Sequence, residues 1–510
     1  MPNFPNLRLA TAIAAGKAAG LASRVLHAGG GTTLPGVVAR RIAPNILRYL
    51  SAALPGGVVV VGGTNGKTTT TRMIAAILAA DGRRVLHNRA GANLVTGLTA
   101  TALSGSTLAG RVRADLGLFE TDEAALPRAL DETQPQLVLL HNLFRDQLDR
   151  YGEVDTIASA WRAALEQLPA STTVLLNADD PAIAALGDGL PLQVRYYGLE
   201  DTRQAGHGAT HFADSQFCRR CGAPYDYSAT FYAHIGHYTC LRCGQRRPVP
   251  HFRLERLELA GTTSGRLFVS FPTDLPRLGV YASAARSTTA RGYIEIRLPL
   301  PGLYNALNAL AAAAAGLLLG VPPARVRGTL ESFSAAFGRI ERVDAGGQPM
   351  LLALIKNPVG ESETVRMLVG GWGTSAAQGG VTDGGWENSP SPIPHLPSPT
   401  LHLLVAINDK HADGTDVSWL WDADFERLAE HVAGAVVSGT RAADMAVRLK
   451  YAGVAPDMLA IEPDLVRALD LALGRLPAGA TLYALPTYTA MLELRAELAR
   501  RGWVRPFWED

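Results

Sequence analysis

Residues 58–71 carry the clearest chemistry of this chain, because an apolar run leads into a glycine turn, one lysine and several threonines. The β-branched residues 58–61 suit a buried strand, and the glycines let the backbone turn tightly with its N–H groups inward. Lys67 can neutralise phosphate charge and Thr68 can bind Mg²⁺. The spacing is GxxGKT, since Val61 occupies the first glycine position of GxxxxGK[ST]. The pattern predicts ATP, held by Gly63, Thr64, Asn65, Gly66, Lys67, Thr68 and Thr69.

Two polar segments follow strand-like runs further along the chain. Residues 88–93 form a polar glycine loop, and Glu120 ends an apolar run with two more carboxylates close behind it. Because the carboxyl ends of parallel strands face the ligand crevice, we expect Glu120 to hold Mg²⁺ together with Thr68. Asp122 and Glu123 have a second interpretation, as a helix N-cap or a first-turn charge, and the sequence leaves both open.

All four cysteines lie in one segment as two CxxC pairs with eighteen residues between them, at Cys218, Cys221, Cys240 and Cys243. A glycine follows each pair, so four thiolates can close a tetrahedron around Zn²⁺. Four thiolates leave no open coordination position, which predicts a structural rather than a catalytic zinc site. Disulfides are the alternative, which a reducing cytosol disfavours. His234 is expected at the surface or in a loop, and Arg247 either solvates the insert or contacts substrate pyrophosphate.

Composition limits the functional class. The chain has 510 residues, 47% of them hydrophobic, and a net charge of +2, which gives no indication of a nucleic-acid partner. An N-terminal helix is expected to pack on the body through Leu9, Ala12 and Ile13, continued by Gly16, with membrane contact as the alternative. No apolar stretch is long enough to span a bilayer, and the N-terminus lacks the pattern of a secretory signal. We therefore expect a cytoplasmic protein.

The alternation of strand and helix signals predicts an α/β protein of about three domains. Strands are expected at 58–61, 84–86, 116–120, 137–141, 173–177, 351–355, 401–407, 434–438 and 481–484, and helices at 69–80 and 304–319. The expected domains are an N-terminal helical segment at 1–45, a central ATP-binding domain at 46–325 with the cysteine-bearing insert at 214–250, and a C-terminal α/β domain at 326–510. Residues 370–399 are rich in Gly, Ser and Pro, which indicates a disordered insertion.

The order of these motifs resembles the Mur ligase family, whose members make peptidoglycan peptide bonds through an acyl phosphate. The four-cysteine segment, together with residues 144–151 and 413–422, resembles one branch of that family, the MurT branch. The resemblance covers nearly the whole chain from about residue 40 onward. The motifs that carry the family resemblance are 63–68, 88–93, Glu120, 177–181, 302–308, 338–339 and 408–409.

The resemblance implies a Mur ligase-like central ATPase domain with a parallel sheet, an inserted zinc ribbon and a C-terminal Rossmann-like α/β domain. It also implies ATP-dependent amidation of the α-carboxylate of D-Glu in the stem peptide of lipid II, giving D-isoglutamine, with Lys67 and Glu120 acting on the transferred phosphoryl group. By the same resemblance Asn305 would contact adenine, Arg339 the phosphates and Asp409 the ribose.

Departures from the amino-acid-adding Mur ligases favour the MurT branch. Those enzymes carry a histidine at the position of Gln147 and a downstream lysine that is carbamylated to bridge a second Mg²⁺. This sequence has no lysine between Lys67 and Lys356, so one Mg²⁺ site is expected and a second is left open. Tyr304 likewise replaces a common histidine. A Mur or folylpolyglutamate-type amino-acid ligase remains the alternative, followed by an ATP-driven switch and a zinc-ribbon nucleic-acid binder.

The chain has no candidate nucleophile for glutamine hydrolysis, because its only cysteines are assigned to zinc. The resemblance implies that ammonia comes from a GatD-type class I glutamine amidotransferase in a heterodimer, with at most peripheral membrane contact at the lipid II substrate. In that family an aspartate of the synthetase orients the partner's catalytic histidine. Asp416 is the first candidate and Asp422 the second. Trp419 and Trp421 are either interface anchors or core residues.

Overall fold

The protein is described by a computed structural model that covers residues 7–25, 33–88, 92–144, 153–206, 215–274, 290–334, 339–369 and 401–505. This part of the chain is an α/β protein with a nine-stranded sheet, a six-stranded sheet and a two-stranded hairpin. Within it, no helix is both long and apolar enough to cross a bilayer. The expected insertion at 370–399 lies outside the described residues, as do Gln147 and Gly338.

The N-terminal helices pack on the body of the protein. They are α1 (Leu7–Val25), α2 (Leu34–Ile42) and α3 (Ile46–Ala52). Leu9, Ala12 and Ile13 of α1 are buried, which confirms the packing face expected from the sequence. Close approach depends on Gly16, where a Cβ would lie only 2.9 Å from Leu103 Cδ1.

The first half of the central domain alternates strands and helices. Its elements are β1 (Val58–Gly62), α4 (Lys67–Ala80), β2 (Val85–His87), α5 (Val95–Ser104), β3 (Leu116–Glu120), α6 (Leu126–Thr133), β4 (Leu137–Leu140), α7 (Glu153–Leu165), β5 (Thr173–Asn177), α8 (Pro181–Ala185) and β6 (Gln193–Leu199). The strands pair in parallel in the order β2-β3-β1-β4-β5-β6. Since β1, β3 and β4 are buried throughout, they require continuous apolar runs. The loops that follow these three strands therefore meet at one edge of the sheet.

The second half of the central domain extends the same sheet. Its elements are β7 (Asp226–Tyr232), β8 (Ile235–Thr239), β9 (Phe252–Ala260), β10 (Ser264–Pro272), β11 (Arg291–Leu298), α9 (Leu303–Leu318) and α10 (Pro323–Glu331). β9 pairs in parallel with β6, and β10 and β11 continue antiparallel. The alanine-rich α9 is buried along almost its whole length against the sheet and α4, because its small side chains allow close approach.

β7 and β8 form the antiparallel hairpin of the cysteine-bearing insert. The insert has only a small apolar cluster of its own, around Tyr225 and Tyr238. At the other end of the hairpin, Phe231, Ala233 and Ile235 are buried in the main core of the central domain. The insert is therefore anchored by shared packing as well as by its cysteine cluster.

The C-terminal domain is built on the six-stranded sheet, which confirms the expected Rossmann-like class. Its elements are β12 (Arg339–Asp344), β13 (Pro349–Ala353), α11 (Pro358–Val369), β14 (Leu401–Ala406), α12 (Glu426–Ala429), β15 (Val432–Ser438), α13 (Ala442–Tyr451), β16 (Leu459–Ile461), α14 (Leu465–Gly474), β17 (Leu482–Pro486) and α15 (Tyr488–Arg500). The strand order is β12-β13-β17-β14-β15-β16, parallel except for β12. Short 3₁₀ turns lie at Thr202–Gln204, Ser418–Trp421 and Pro456–Met458. The domain limits drawn from the sequence stay predictions.

Candidate active site and metal centre

The phosphate loop, residues 62–68, joins β1 to α4 at the edge of the central sheet. Gly63 and Gly66 have φ values of 134° and 88°, which side-chain-bearing residues rarely adopt. A Cβ on Gly66 would lie 2.2 Å from Asn308 Oδ1, so the loop packs directly against the start of α9. Glycine alone satisfies both the conformation and the close contact.

Lys67 is buried and held by three oxygen acceptors. Its Nζ donates to the backbone carbonyl of Gly63, to that of Thr64 at 3.1 Å, and to Glu123 Oε1 at 3.1 Å. Glu123 therefore belongs to the site as the charge partner of Lys67. Asp122 instead caps the following turn with its carboxylate. Of the two roles that the sequence left open, Glu123 thus has the one in the site and Asp122 has the one as a cap.

Thr68 and Glu120, the two residues expected to share a Mg²⁺, lie together. Thr68 Oγ1 donates to Glu120 Oε1 at 2.9 Å. Glu120 is buried at the end of β3, and the side-chain amide of Asn88 bonds its backbone N–H at 2.9 Å and its carbonyl at 2.8 Å. A carboxylate and a hydroxyl beside a phosphate loop fit a Mg²⁺ that also takes phosphate oxygens.

Asparagines tie the phosphate loop to its surroundings. The Asn65 N–H donates to Asn142 Oδ1 at 2.8 Å, and Asn142 Nδ2 returns a bond to the Asn65 carbonyl at 3.2 Å. Asn357, from the C-terminal domain, donates to Asn65 Oδ1 at 3.1 Å. Asn142 and Asn357 were not predicted as site residues. The one feature of the sequence that could have identified them is that each follows a predicted strand.

A cleft that is open to solvent lies between the phosphate loop and the C-terminal domain. Its walls combine aromatic and aliphatic side chains with amides and a few ionisable groups. The lining residues are Asn65, Gly66, Thr69, Asn142, Tyr232, Tyr304, Asn308, Ile340, Ala353, Leu354, Lys356, Val359, Gly360, Glu363 and Thr364. A partly apolar cleft next to a phosphate loop suits the adenosine part of a nucleotide.

The residues expected to contact adenine and ribose bond to other parts of the protein and do not line the cleft. Asn305 is buried, and its amide donates to a backbone carbonyl just before α9 at 2.8 Å. The Asp409 carboxylate accepts from Thr440 Oγ1 at 2.7 Å and from Arg441 Nε at 2.8 Å. Neither Asn305 nor Asp409 is among the described residues that line the cleft. Only the backbone of Arg339 is described, at the start of β12.

Glu363 is the buried acid of the cleft. Burial raises the pKa of its carboxyl to about 7, against the opposing charge of Arg366. The two side chains lie 3.7 Å apart. Arg366 also donates to the backbone carbonyls of Phe231, in the hairpin, and Gln204, the latter at 2.6 Å. Helix α11 of the C-terminal domain is thereby docked on the cysteine-bearing insert.

The four cysteines form one cluster, with every pair of sulfurs within 4.8 Å. Cys218 Sγ lies 3.5 Å from Cys243 Sγ, and Cys221 Sγ lies 3.4 Å from Cys240 Sγ. Each CxxC turn ends on a glycine with positive φ, and backbone N–H groups point at the sulfurs. Such a bond from Cys243 lowers the pKa of the Cys240 thiol to about 6. Four convergent thiols of this kind fit a tetrahedral zinc ion.

Two polar neighbours of the cysteines are buried, which makes the surface position expected for His234 and the solvated position expected for Arg247 wrong. His234 is fully buried, with its Nε2 3.2 Å from Asp180 Oδ2. Arg247 is also largely buried, and it donates to Asp179 Oδ1 at 2.7 Å and to Glu200 Oε1 at 2.8 Å. These contacts anchor the insert on the acidic turn after β5, which the spacing of the residues along the chain does not reveal.

The aspartate-rich segment at 413–422 lies on the C-terminal domain. Asp416 Oδ1 accepts from the Ser418 N–H at 2.8 Å, which starts the 3₁₀ turn. Trp419 is buried in the domain core, whereas Trp421 is 51% exposed with its ring 5.8 Å from that of Tyr451. The two tryptophans therefore differ, and only Trp421 presents an aromatic surface. Asp416 and Asp422 are outside the described lining of the nucleotide cleft.

Two α/β domains surround the phosphate loop, whose lysine and Thr68–Glu120 pair lie at the edge of a parallel sheet, and each domain matches a family of Mur ligases. The family described as Mur ligase middle domain matches residues 61–221, and that described as MurT ligase C-terminal matches residues 394–491. The fold is similar to that of a pseudomurein peptide ligase type C from Methanothermus fervidus, with a TM-score of 0.59, 18% identity and coverage of 89% of this chain and 80% of that one.

Two curated relatives match almost from end to end. The MurT subunit of lipid II isoglutaminyl synthase (glutamine-hydrolyzing) from Streptococcus pneumoniae is 32% identical over 479 residues, which cover 94% of each chain. The subunit of the same name from Staphylococcus aureus is 29% identical over 495 residues, covering 97% of this chain and 98% of that one. The chain therefore belongs to the MurT family.

Proposed function

We propose that this chain is an ATP-dependent ligase that amidates the α-carboxylate of D-Glu in the stem peptide of lipid II. The observation that carries this proposal is the end-to-end similarity to subunits named lipid II isoglutaminyl synthase (glutamine-hydrolyzing). The site geometry supports it, because a phosphate loop, a buried lysine and a hydroxyl–carboxylate pair are what activation of a carboxylate by ATP requires.

The reaction has two steps, because a carboxylate is a poor acyl donor. A carboxylate oxygen attacks the γ-phosphorus of ATP, which forms an acyl phosphate and releases ADP. Ammonia then attacks the acyl carbon, and the bond from this carbon to the phosphate oxygen breaks, so that phosphate leaves with the electron pair. The nitrogen loses a proton to give the amide. Bound Mg²⁺ would supply positive charge at the transferring phosphoryl group. In this chain Thr68 and Glu120 would hold that ion, and Lys67 would donate to a phosphoryl oxygen in exchange for one of its present acceptors.

The proposed nucleotide contacts rest on two kinds of support, the family resemblance and the lining of the cleft. Asn305, Arg339 and Asp409 stay candidates for adenine, phosphates and ribose through the family resemblance. We add Tyr304 and Lys356, because both line the cleft beside the phosphate loop. Zn²⁺ in the four-thiolate site has a structural role in this proposal, since no coordination position is left for substrate.

Ammonia is supplied in this proposal by a GatD-type glutamine amidotransferase in a heterodimer. The chain's four cysteines converge in one cluster, so none is placed to hydrolyse glutamine. Asp416 and Asp422 are the candidates for orienting the partner's catalytic histidine. The exposed ring of Trp421 beside them is the kind of surface that anchors a protein interface. With lipid II as the acceptor, membrane contact of this chain would be at most peripheral.

The first test is product formation from the purified chain with Mg-ATP and lipid II, followed by mass spectrometry. Ammonium alone should support amidation, and glutamine should do so only when the amidotransferase is added. A mass gain equal to an amino acid would instead identify a peptide-forming ligase. ATP hydrolysis without any change in the acceptor would identify a switch.

A second test separates the two aspartates. We expect Asp416→Asn to abolish glutamine-dependent amidation while ammonium-dependent amidation is retained, because only the partner's triad is affected. Asp422→Asn should behave as wild type if Asp416 orients the partner's histidine. If Asp422 does so instead, Asp422→Asn should lose glutamine-dependent amidation and Asp416→Asn should behave as wild type. Asp457→Asn, at an exposed position of the same domain, is the matched control. Loss of both activities in either variant would place that aspartate in the synthetase reaction instead.

A further inference from the structure

Charge is distributed very unevenly along this chain. Residues 1–114 contain thirteen Lys and Arg but a single acidic residue, Asp81, although the net charge of the whole chain is only +2. Asp81 itself is paired with Arg83 and Arg325. Four of these cations, Arg40, Arg48, Lys67 and Arg84, pair with carboxylates from later in the chain. The N-terminal sequence is therefore strongly basic, and part of that charge is compensated in the fold.

Helix α1 has two apolar faces, of which only one is buried. Leu9 and Ile13 point into the protein, as described above. On the opposite side the exposed residues Leu7, Ala14, Ala18 and Leu21 recur at helical spacing, with Leu7 82% exposed and Leu21 61% exposed. Thr11 lies between Leu7 and Ala14 on this face, and its hydroxyl donates to the Leu7 carbonyl at 2.8 Å. This outer stripe is about 21 Å long, since each residue of a helix adds about 1.5 Å.

Cations flank the outer stripe on both sides. Arg8 lies on one flank, where its Nε donates to the carbonyl of Ile42, next to the exposed Arg41. Lys17 lies on the other flank, where partial burial and the neighbouring charge of Arg113 lower the pKa of its ammonium. Among the described residues, α2, α5 and the loop at 105–113 contact α1, and these three segments contain no acidic residue.

The geometry points to a membrane-docking surface, in which the outer stripe of α1 rests on a bilayer of anionic phospholipid and its flanking cations contact the headgroups. A stripe one helix face wide falls well short of the roughly 800 Å² per partner that stable protein interfaces bury. A bilayer needs no such area, because shallow burial of leucines and attraction of cations to anionic headgroups act together. This inference stands apart from the proposed reaction, although a lipid-linked acceptor would give the docking a purpose.

The experiment is sedimentation of the purified full-length chain with vesicles that contain no lipid II. One vesicle set is phosphatidylcholine, and the other is phosphatidylcholine mixed with phosphatidylglycerol. We expect binding to the anionic vesicles, weakened by added salt, and little binding to the neutral ones. The double variant L7S/L21S should reduce the affinity by about tenfold or more, and Lys17→Gln by about fivefold.

The matched control is V447S/I461S, which removes two exposed apolar side chains from the C-terminal domain and should bind like wild type. Thermal unfolding verifies that both double variants are folded. Equal binding to both vesicle types, or equal loss in L7S/L21S and the control, would overturn the inference. So would light scattering that shows a dimer dissociated by L7S/L21S, since a second copy would then cover the stripe. Because the vesicles lack the acceptor, failure of the amidation assay leaves this result unaffected.

Discussion

Lys67 shows how a buried charge can be prepared for chemistry. Two backbone carbonyls and the Glu123 carboxylate accept from the three donors of its ammonium, so contact with a phosphate oxygen requires one of these bonds to be exchanged. We expect Lys67→Met to lower kcat by about 10²- to 10³-fold, the usual cost of removing one preorganised donor. The measurement is acceptor-dependent ATP turnover. Lys450→Met, at an exposed position of α13, is the matched control and should leave turnover unchanged.

Glu363 should make stability depend on pH. Burial raises the pKa of this carboxyl to about 7 from an ordinary value of 4.5. Its contribution to the free energy of unfolding is therefore fully present below pH 4.5 and is lost as the pH rises through 7. Relative to Glu363→Gln, the wild-type free energy of unfolding should fall by about 3 kcal/mol across that interval. Urea unfolding of both proteins at acidic and neutral pH measures it, and a difference independent of pH would contradict the assignment.

Residue types in the sequence predicted some of these contacts and missed others. Thr68 and Glu120 could be paired because each stands directly after a strand of a parallel sheet, where such residues converge. The bond between Lys67 and Glu123 joins residues 56 positions apart, and that between Arg247 and Asp179 joins residues 68 apart. Nothing in the local pattern of either residue specifies its partner, because the partner is selected by the packing of the folded chain.

Among the elements, the contact between α2 and α5 depends on a missing side chain. A Cβ on Gly36 would lie 1.8 Å from the carbonyl oxygen of Thr96, so the two helices touch through backbone. Gly36→Ala should lower the free energy of unfolding by about 1–3 kcal/mol through overpacking. Gly328→Ala is the matched control in α10, where nothing lies within 4 Å. It should raise stability by about 0.5–1 kcal/mol, because alanine loses less entropy in a helix.

The hairpin of β7 and β8 links the cysteine cluster to the nucleotide cleft. Tyr232 lines the cleft at one end, and the four thiols lie at the other. Zinc removal by a chelator, or Cys240→Ser, should therefore weaken ATP binding as well as increase amide exchange across 226–239. Titration calorimetry and hydrogen exchange measure the two effects. A chelator should cause no further change in ATP affinity in Cys240→Ser, which serves as the control. Unchanged ATP affinity after loss of zinc would show that the hairpin keeps its position at the cleft without the metal.

Element positions were predicted well where the chain is buried on both sides. The strand expected at 173–177 is present at Thr173–Asn177, and the helix expected at 304–319 begins at Leu303. The strand expected at 351–355 instead spans Pro349–Ala353, because its first residue pairs with Asp344 of β12. Antiparallel pairing at a sheet edge extends a strand beyond its apolar run, and that pairing is not visible in the sequence.

At the scale of the molecule, the cleft exists only because the two α/β domains are docked. Its lining takes Asn65 and Asn308 from one domain and Lys356 and Glu363 from the other. The sequence predicted each domain class separately, since strand and helix periodicity is a local property. It could not predict the docking, because the polar contacts between the domains are made by single side chains, such as Asn357 on Asn65 and Arg366 on two backbone carbonyls, that no local pattern pairs.

Two arginines test whether this docking sets the affinity for ATP. Arg366 in α11 bonds the carbonyls of Gln204 and Phe231 beside the cleft, while Arg342 in β12 donates to the Thr262 carbonyl at 2.7 Å in an exposed position. Arg366→Met leaves two carbonyls without their charged donor, and we expect ATP affinity to fall about tenfold, or about 1.4 kcal/mol. Arg342→Met loses one exposed bond and should change affinity by less than about twofold.

Titration calorimetry with Mg-ATP on the full chain measures both variants, and thermal unfolding verifies that each is folded. If the docked arrangement positions the cleft walls, the loss in Arg366→Met appears as weaker ATP binding, whereas Arg342→Met is affected in neither assay. Equal and small effects in both variants would mean that the bond between Asn357 and Asn65, rather than the contact of α11 with the hairpin, keeps the C-terminal wall against the phosphate loop.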